Sequence, residues 1–388
     1  AASTLLSSLS AVSAKMSCSS IVDAVVVGSG LSGCVCARSL VQDFGLNVVV
    51  LESLDRIGGR TFSHDGLDLG AAWSWPSHDK NLGKLMQELQ IKEFVAQDVQ
   101  GKSVVQLGDG AVREFSPNAS PSGPGSIRLA HGSGSICKTI VEKHSLNVET
   151  GAMVESIQVS QDASKPIVVK TAAGNSFQAR AVVVAMPPKQ AASITYEPAL
   201  PEEQRKAQIS TQTWMGNAAK VCLTFSLGAA FWRTQLGMNG TFMSHKGPIN
   251  QGWDNSNKQH EALCGFVFED DLKHVKDLQA QLDNGVKEVN SPILDQFQEI
   301  FGPQVRGYSS IHCQAWDYTD ETKGVDPATV QSGVNYGGKL LSEPLLGRVF
   351  FSGTETQADE HGHMEGAVMA GQRAAKQVGA LLGSESST

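Results

Sequence analysis

Residues 22–33 read VDAVVVGSGLSG. The first six form an apolar, β-branched run closed by a glycine, which is typical of a buried strand in a parallel sheet. Apolar residues then recur at helical spacing from Leu31 to Phe44, and Gly45 follows as a helix-ending residue. A second buried strand is predicted at 47–52. These segments predict a βαβ unit, whose connection should be right-handed.

The glycine-rich turn between the first strand and the helix predicts a dinucleotide site. The first glycine permits the tight turn, the second lets the backbone approach a pyrophosphate, and the third lets helix and strand pack closely. The helix N-terminus adds unpaired N–H groups and a positive dipole end for the phosphates. Glu52, at the end of the second strand, is placed for a ribose diol and disfavours the 2′-phosphate of NADP. The predicted contacts are Gly28, Ser29, Gly30, Leu31, Ser32, Gly33 and Glu52. A packing turn that binds no ligand is the alternative.

A second glycine cluster favours FAD over NAD. The segment SLDRIGGRT follows at 53–61, where paired glycines allow close backbone approach and an arginine offers a forked cation to a second phosphate contact. A simple NAD dehydrogenase has no need of such a cluster there. We therefore predict FAD, with Ser53, Gly59 and Arg60 among its contacts. A glycine-rich surface turn with a solvated arginine is the alternative.

Length and composition limit the other possibilities. A chain of 388 residues is too long for one compact core and predicts two domains. The net charge of -8 argues weakly against nucleic acid, which usually requires a basic face. No long apolar run occurs, so we expect neither a membrane span nor a hydrophobic tail anchor.

The first twenty residues differ from the rest of the chain. Residues 1–20 are rich in serine and alanine and contain no acid, which resembles an organelle transit peptide. A short N-terminal helix is the alternative. We expect a soluble, intracellular protein, located in an organelle if this segment is a transit peptide. The oligomeric state is not predicted.

The cysteines and histidines suggest neither a disulfide framework nor a metal centre. The seven cysteines are scattered, and no CxxC pair occurs. This pattern predicts reduced, mostly buried thiols, although one disulfide remains open. His361-Gly362-His363 lacks further ligands at useful spacing, so no metal site is predicted.

The rest of the sequence divides between two domains. Strands at 181–186 and 349–351, a β-meander over 154–159 and 166–170, and a helix from about 364 to 382 extend the nucleotide-binding domain. The other segments begin with polar helical text after residue 75, close in a proline-rich loop, and later mix strands at 221–225 and 262–268 with an amphipathic helix near 285–301. The predicted division is an N-terminal extension at 1–20, an FAD-binding domain at 21–74, 125–200 and 331–388, and a discontinuous α+β substrate domain at 75–124 and 201–330.

Taken in order, several blocks of the chain resemble the flavin-containing amine oxidase family, which includes monoamine oxidases and polyamine oxidases. The matching blocks are residues 25–33, 50–61, 68–73, 183–188, 351–355 and 362–367. The first two are shared by many flavoproteins, whereas the last is specific to amine oxidases. The resemblance implies an α/β, two-domain FAD-binding Rossmann-like fold of the glutathione reductase/amine oxidase type, with the flavin at the cleft between the domains.

The same resemblance implies further cofactor contacts. Glu355 would bond the pyrophosphate and ribityl region, Met364 would begin the last helix near the flavin N1–C2=O edge, and Val154 would contact the adenine end through its backbone. Trp316 would pack against the flavin ring. The alternatives are a strand-end carboxylate, a core methionine and a core tryptophan. The implied set is Ala71, Ala72, Trp73, Val154, Trp316, Gly353, Glu355 and Met364.

Lys220 carries the chemistry that the resemblance implies. In this family a lysine lies on the strand after a glycine-containing segment, here Met215–Val221, and an aromatic pair follows, here Phe231-Trp232. That lysine holds a water against flavin N5. Burial near FAD would lower its pKa and make it a proton acceptor. A solvent-exposed lysine at a strand edge is the alternative.

Two departures from the family limit the inference. Monoamine oxidases tether FAD through a cysteine, but the nearest position here is Val325, so we predict non-covalent FAD. Those enzymes also flank the amine with two tyrosines. One of these positions falls near Val325 or Asp326 and the other is His363, so the aromatic cage is absent. We predict His363 and Trp73 on the substrate side, with a helix-capping histidine as the alternative.

The predicted function is oxidation of an amine by FAD. A hydride equivalent would pass from the carbon next to nitrogen to flavin N5, the imine product would be hydrolysed, and O₂ would be reduced to hydrogen peroxide. The predicted partners are a small-molecule amine and O₂. One alternative is an L-amino-acid oxidase with Arg128 or Arg233 as a carboxylate clamp. Others are an oxidase of a dihydronicotinamide or a polyene, and a non-catalytic flavin-binding scaffold.

Overall fold

The computed structural model describes residues 20–96, 100–117, 119–213, 215–317 and 336–385. The helices are α1 (Leu31–Phe44), α2 (Lys80–Glu88), α3 (Gly134–Lys143), α4 (Pro188–Ala191), α5 (Glu202–Ser210), α6 (Phe231–Thr234), α7 (Leu272–Asp283), α8 (Pro292–Phe301), α9 (Lys339–Ser342) and α10 (Met364–Glu385). The strands are β1 (Val22–Val27), β2 (Val48–Leu51), β3 (Ser63–His64), β4 (Leu67–Asp68), β5 (Phe94–Ala96), β6 (Lys102–Gln106), β7 (Val112–Pro117), β8 (Ile127–Leu129), β9 (Asn147–Glu149), β10 (Val154–Gln158), β11 (Ile167–Thr171), β12 (Ser176–Ala185), β13 (Thr195–Glu197), β14 (Asn217–Phe225), β15 (Met238–Ser244), β16 (Ile249–Asp254), β17 (Glu261–Phe268), β18 (Ser310–Asp317) and β19 (Val349–Ser352).

The first sheet holds the predicted βαβ unit. Its strand order is β13-β10-β11-β12-β1-β2-β9, and β19 also pairs with β12. Strand β1 runs parallel to both β2 and β12, and β19 runs parallel to the second half of β12. The carboxyl ends of β1, β2, β12 and β19 therefore lie along one edge. Ligands of open α/β sheets bind at this edge.

Both faces of the first sheet are covered, as its continuous apolar strands predict. Helices α1 and α10 pack on one face, around Leu40, Ala374 and Val378. The other face packs in a second cluster, which joins Val25 of β1 to Ile157 and Val169 of the meander strands of the same sheet and to Leu345 before β19. Gly45 ends α1 in the left-handed region with φ of 67° and donates its N–H to the Val41 carbonyl. The predicted βαβ unit is confirmed.

The second sheet is mainly antiparallel, with the order β18-β14-β17-β16-β15-β6-β7. Helices α7 and α8 bury one of its faces through residues such as Leu278 and Phe297. The other face carries an aromatic cluster with Trp253 and Phe266, which packs against Leu69 from the chain that follows β4. The molecule thus has the predicted two-domain α/β architecture, with the aromatic face of the second sheet turned toward the nucleotide-binding part. The domain boundaries stay a prediction.

Two local predictions differ from the structure. The hairpin of β6 and β7 occupies a region that was predicted to hold a helix and a loop. The amphipathic helix near 285–301 is shorter than predicted, because α8 begins only at Pro292. The Ser291 side chain caps that helix by accepting a hydrogen bond from the Ile293 N–H, and proline suits the first helical position.

The structure contains the one disulfide that the sequence left open, so the expectation of reduced thiols does not hold for one pair of cysteines. Cys222 on β14 and Cys264 on β17 form a disulfide. They stand directly opposite each other on neighbouring antiparallel strands, with 4.1 Å between their Cα atoms. Their sequence separation of 42 gives no sign of this pairing. Cys34, Cys36, Cys137 and Cys313 are free thiols, and Cys18 lies outside the described residues.

Across the described ranges, no helix is both long enough and apolar enough to cross a membrane.

Candidate active site

In the glycine turn after β1, two glycines are packed too tightly to carry a side chain, and one borders open space. A Cβ added to Gly28, whose φ is +101°, would lie 2.5 Å from the Ala185 carbonyl oxygen. A Cβ added to Gly33 would lie 1.9 Å from the Gly28 carbonyl oxygen. At Gly30 the nearest atom to such a Cβ would be the Gly58 carbonyl oxygen, 4.0 Å away. The space over Gly30 is therefore open, and the turn fits the phosphates of a dinucleotide.

Glu52 is buried at the end of β2 and bonds the turn. Its Oε2 accepts hydrogen bonds from the Ser29 N–H at 2.8 Å and the Ser29 hydroxyl at 2.7 Å. Its Oε1 accepts one from the Leu54 N–H at 3.0 Å, and the Ser53 hydroxyl lies 3.3 Å away. The carboxylate therefore holds the turn in place, and its contact with a ribose stays a prediction.

Val154 and two further predicted contacts, Leu31 and Ser32, lie near the turn. The Ala152 N–H donates to the Glu52 carbonyl at 2.7 Å, which brings Val154 beside the end of β2. Ser32 exchanges a hydrogen bond of 2.5 Å with Ser352 at the end of β19. Leu31 is buried in the cluster that also holds Met364.

The second glycine cluster packs on the first. Gly58 pairs with Gly30 as an isolated bridge, and its N–H donates to the Ser29 carbonyl at 3.0 Å. Gly59 adopts φ of +54°, and a Cβ there would lie 3.2 Å from the Gly30 Cα. This close approach explains why glycines recur at both places.

Arg60 and Glu355, two predicted contacts of the pyrophosphate region, bind each other. Arg60 Nη1 and Nη2 donate to Glu355 Oε1 and Oε2 at 2.6 and 3.1 Å, and Thr213 bonds to both residues. Glu355 is fully buried, which raises its pKa, but the Arg60 charge and the hydrogen bonds from Arg60 and Thr213 hold the pKa below its ordinary value. Gly353, just before Glu355, has φ of +129°.

Met364 and His363 lie at the start of α10. Met364 is buried and packs with Leu31 and Val368 in the cluster between α1, α2, α3 and α10. His363 is exposed, and its ring meets Trp75 edge to face at 5.8 Å. Trp75 was not predicted as a site residue, although it stands two positions after Trp73.

Lys220 is a buried amine on β14. It is 1% exposed, and its Nζ donates to the carbonyl oxygens of Gly70 at 2.6 Å and Asp68 at 3.3 Å. Burial lowers the pKa of Lys220 to about 7, while Asp68 raises it and Arg128 lowers it further. The alternative of a solvent-exposed lysine is wrong, because the second sheet presents this residue to the chain that follows β4.

An aromatic box surrounds the Lys220 amine. The Nζ atom lies 5.3 Å from the centre of the Trp73 ring, 5.1 Å from that of Trp253 and 5.0 Å from that of Phe266. The box was missed in the sequence because Trp253 and Phe266 lie on β16 and β17, far along the chain from either predicted tryptophan. Aromatic faces at this distance favour the ammonium form and partly offset burial.

The remaining predicted residues border this box. Ala71 and Ala72 follow Gly70, and the half-buried Trp73 has a buried Nε1 that finds no hydrogen-bond partner among the described residues. Trp316 on β18 is buried, donates its Nε1–H to the Leu69 carbonyl at 2.9 Å and stands opposite Ala218 on β14. The structure therefore brings Lys220, Trp73 and Trp316 together from three separate segments.

The glycine turn fits a dinucleotide, and the buried amine lies in an aromatic box on the second sheet, so the fold and the site are those of a two-domain dinucleotide-binding protein. The family described as flavin containing amine oxidoreductase matches residues 118–379, and the NAD(P)-binding Rossmann-like domain matches residues 26–89. The chain belongs to the flavin-containing amine oxidoreductase family. It is an oxidoreductase that acts on the CH–NH₂ or CH–NH group of amines, and its cofactor is FAD.

Relatives that match over most of their own length support this assignment. The chain is 25% identical to a probable flavin-containing monoamine oxidase A of Dictyostelium discoideum, over 93% of this chain and 98% of that protein. It is 24% identical to the flavin-containing amine oxidase A of Sus scrofa, over 94% of this chain and 86% of that protein.

Solved structures share the fold. A putrescine oxidase bound to putrescine has a TM-score of 0.74 at 19% identity, covering 93% of this chain and 99% of its own. Cyclohexylamine oxidase from Brevibacterium oxydans IH-35A has a TM-score of 0.75 at 21% identity, covering 94% of this chain and all of its own. Both confirm the predicted fold class.

Proposed function

We propose that this protein oxidises an amine at the carbon next to nitrogen, with O₂ as the final electron acceptor and hydrogen peroxide as a product. The observation that carries the proposal is the state of Lys220. A neutral amine has two N–H bonds and one lone pair. Both N–H bonds are used by the carbonyls of Gly70 and Asp68, so the lone pair is left to accept a proton.

FAD supplies the two-electron chemistry, since it accepts a hydride equivalent at N5 and passes electrons to O₂. The chain's own residues hold and orient the reactants. The glycine turn and Glu52 would bind the adenosine and phosphate groups, and the N-terminus of α10 at Met364 would face the flavin. Trp73 and Trp316 would exclude water from the reacting carbon.

Lys220 would accept and return a proton beside the reacting carbon. With a pKa of about 7, both forms of the amine are populated near neutral pH, which suits a group that accepts and returns a proton. The proton would come from a water that the amine holds. We propose Lys220 as the catalytic residue on this basis.

We also propose that FAD binds without a covalent bond. The segment 318–335, which includes Val325, contains no cysteine, and it lies outside the described residues. Acid precipitation of the loaded protein should release the yellow colour into the supernatant. Colour that stays in the pellet would contradict the proposal.

The substrate side of the site is proposed at His363, Trp75 and Trp73. The edge-to-face contact of His363 with Trp75 places two ring systems near the start of α10. Such a pair can contact an amine through the face of a ring. The rings of His363 and Trp75 would then flank the amine, as two tyrosines do in monoamine oxidases.

Two arginines were the candidates for an amino-acid oxidase, and their contacts favour an amine. Arg128 donates through Nη1 and Nη2 to the oxygens of Asn255 and Ser256. Arg233 pairs with Asp254 and Glu261. Neither offers a forked pair of N–H groups to a substrate carboxylate.

Anaerobic reduction of the bound FAD tests the proposal. The loaded protein would be mixed with monoamines, diamines, L-amino acids and a dihydronicotinamide, and the loss of flavin absorbance recorded. At least one amine should bleach the flavin, and air should then restore the colour with release of peroxide. Bleaching by amino acids or the dihydronicotinamide alone would favour the rival enzymes, and silence across the panel would favour a scaffold.

Variants of two lysines connect the reaction to the site. Lys220→Met should slow the reduction or the reoxidation of the flavin. Lys273→Met removes an exposed lysine on α7 and should change neither. Normal turnover in Lys220→Met would refute the catalytic role of Lys220.

A further inference from the structure

Three buried polar atoms without a hydrogen-bond partner belong to residues around Lys220. They are Asp68 Oδ2, Trp73 Nε1 and Arg128 Nε, and only four other such side-chain atoms occur in the described part of the chain. Buried polar atoms in folded proteins nearly always have partners. Three of the seven such atoms in the described part of the chain therefore belong to residues that contact Lys220 or act on its charge.

Asp68 contacts Lys220 through its main chain and acts on it through the charge of its side chain. Its main-chain carbonyl accepts a hydrogen bond from Lys220 Nζ. Its side chain is fully buried and is held through Oδ1, which accepts hydrogen bonds from the Ser133 N–H at 2.7 Å and the Ser63 hydroxyl at 2.8 Å. Among the described residues no donor bonds to Oδ2, so the negative charge acts on nearby cations across a medium that screens weakly.

Arg128 is the opposing charge. It is 2% exposed on β8, and its Nη1 and Nη2 are anchored to the oxygens of Asn255 and Ser256. This anchoring fixes the guanidinium, whose charge acts on both Asp68 and Lys220. Because it repels a second cation, its charge disfavours the ammonium form of Lys220.

The elements packed around Lys220 add few other charges. Strand β16 contributes Trp253 and, next to it, Asp254, which pairs with Arg233 and acts on Arg128. Strand β17 contributes Phe266. On β18, His312 faces the same side as Lys220, where its ring meets His64 and its Nε2 contacts the Ser310 hydroxyl. Asp68 and Arg128 are thus the two charges that act on the amine.

We propose that Asp68 is a positioning residue for Lys220: its carboxylate, set against Arg128, decides the pH at which the amine takes up its proton. The proposal rests on the proposed function of Lys220. Burial favours the neutral amine, and so does Arg128, whereas Asp68 favours the ammonium form. Without the charge of Asp68 the amine should stay neutral to a lower pH. Burial raises the pKa of Asp68 itself, while the Ser133 N–H and the two cations hold it down.

Tryptophan fluorescence reports the charge on Lys220 without any turnover. The Nζ atom lies 5.3 and 5.1 Å from the ring centres of Trp73 and Trp253, so gain of a proton changes the field at both indoles. The FAD-free protein would be titrated from pH 5 to 9, and the same titration of Lys220→Met subtracted. The difference should show an inflection near pH 7.

Asp68→Asn should move that inflection down by about one pH unit. The substitution keeps the shape of the side chain, and its amide oxygen can still accept hydrogen bonds from Ser133 and Ser63. Arg128→Gln should move the inflection in the opposite direction. Each variant is compared with the same variant carrying Lys220→Met, so that only the signal of Lys220 remains.

Asp79→Asn is the matched control. Asp79 is also buried and accepts hydrogen bonds from the Ser74 hydroxyl and the Trp75 N–H, but it does not act on Lys220. Its substitution should leave the inflection unchanged. If Asp68→Asn does not fold, Asp68→Ser removes the same charge and keeps a hydroxyl that can accept the Ser133 N–H, and it must give the same shift.

An unchanged inflection in a folded Asp68 variant would overturn the proposal. So would the absence of any inflection when the titration of Lys220→Met is subtracted from that of the wild type. The loaded enzyme separates this result from the proposed function. If Lys220 is the proton acceptor, the acid limb of its kcat/KM profile should move with the fluorescence inflection. A fluorescence shift with an unmoved limb would support Asp68 as the residue that sets the charge of Lys220 and refute the catalytic role of that lysine.

Discussion

Arg60 and Glu355 form a bidentate ion pair across 295 positions of the chain, with N–O distances of 2.6 and 3.1 Å. Arg60 follows the second glycine cluster, and Glu355 follows the last strand of the first sheet. Thr213, which leads toward β14 and Lys220, bonds to both. The pair therefore ties the cofactor turn, the end of β19 and the start of the catalytic strand to one another.

Removal of Arg60 alone should be strongly destabilising. Arg60→Met leaves the Glu355 carboxylate buried without its cation, which costs about 3–5 kcal/mol in the free energy of unfolding. The double variant Arg60→Met/Glu355→Gln should recover much of this loss, because the charge to be buried is gone. Urea unfolding of the FAD-free protein measures both. Arg38→Met, which breaks a surface pair with Glu88 and Asp43, should cost no more than about 1 kcal/mol.

The pH dependence of this loss has a defined sign. In the wild type the pKa of Glu355 lies below its ordinary value, so the pair stabilises the fold above the unfolded pKa and the effect is lost as pH falls through the folded pKa. In Arg60→Met the charge and hydrogen bonds of the arginine are lost, so burial is opposed only by the remaining hydrogen bonds, such as that from Thr213, and the pKa of the carboxyl rises. The difference in the free energy of unfolding between the wild type and Arg60→Met should therefore become smaller as pH falls from 7 toward 4. A difference that stays constant over this pH range would show that the loss of stability does not come from the Arg60–Glu355 ion pair.

Two glycines of the cofactor turn should respond differently to the same substitution. Gly30→Ala adds a methyl group to open space at a backbone φ of −65°, so the FAD-free protein should keep its stability within about 0.5 kcal/mol. FAD affinity should fall about tenfold or more, or about 1.4 kcal/mol, because the methyl group fills the predicted phosphate position. Gly33→Ala would clash with the Gly28 carbonyl and should prevent folding. Unchanged FAD affinity in Gly30→Ala would show that the phosphates bind elsewhere.

Lys220→Met should stabilise the FAD-free fold increasingly as pH falls from 10 to 7, relative to the wild type. The folded pKa of about 7 lies below the ordinary value of 10.5, so the unfolded chain binds the extra proton throughout this range. Wild-type stability then rises with pH by about 1.4 kcal/mol per unit, and the lysine's penalty is fully present below pH 7. Denaturant unfolding at several pH values gives the slope. Lys273→Met should show no such slope, and a flat line for Lys220→Met would mean that the amine is not buried.

His363→Ala should raise KM for the amine by about two- to thirtyfold while the stability of the FAD-free protein is unchanged. The ring is exposed, so few packing contacts are lost, but a ring face that contacts a cation contributes about 0.5–2 kcal/mol. His363→Tyr should keep a low KM, since it restores an aromatic ring. His361→Ala, two residues away and also exposed, is the control. Equal KM values in both alanine variants would place the substrate away from His363.

Local patterns were enough to predict the nucleotide-binding half. The apolar run at 22–27, the helical spacing after Leu31 and the left-handed Gly45 all act over a few residues. The hairpin of β6 and β7 was missed, because both strands are short, residues 112–115 of β7 are exposed, and β15, the partner of β6, lies more than a hundred residues further along. The start of α8 could have been predicted from the sequence, because serine is a favoured N-cap residue and proline suits the first helical position.

The site divides in the same way. Motif spacing predicted the dinucleotide turn, Glu52 and the FAD preference, since each depends on residues that are close together in the chain, and the family resemblance made Lys220 a candidate. Only the tertiary structure decided that Arg60 meets Glu355, that Cys222 meets Cys264, and that Trp253 and Phe266 enclose Lys220. Burial, charge and hydrogen bonds depend on distances between segments that sheet pairing brings together, and those distances are what set the charge on the amine.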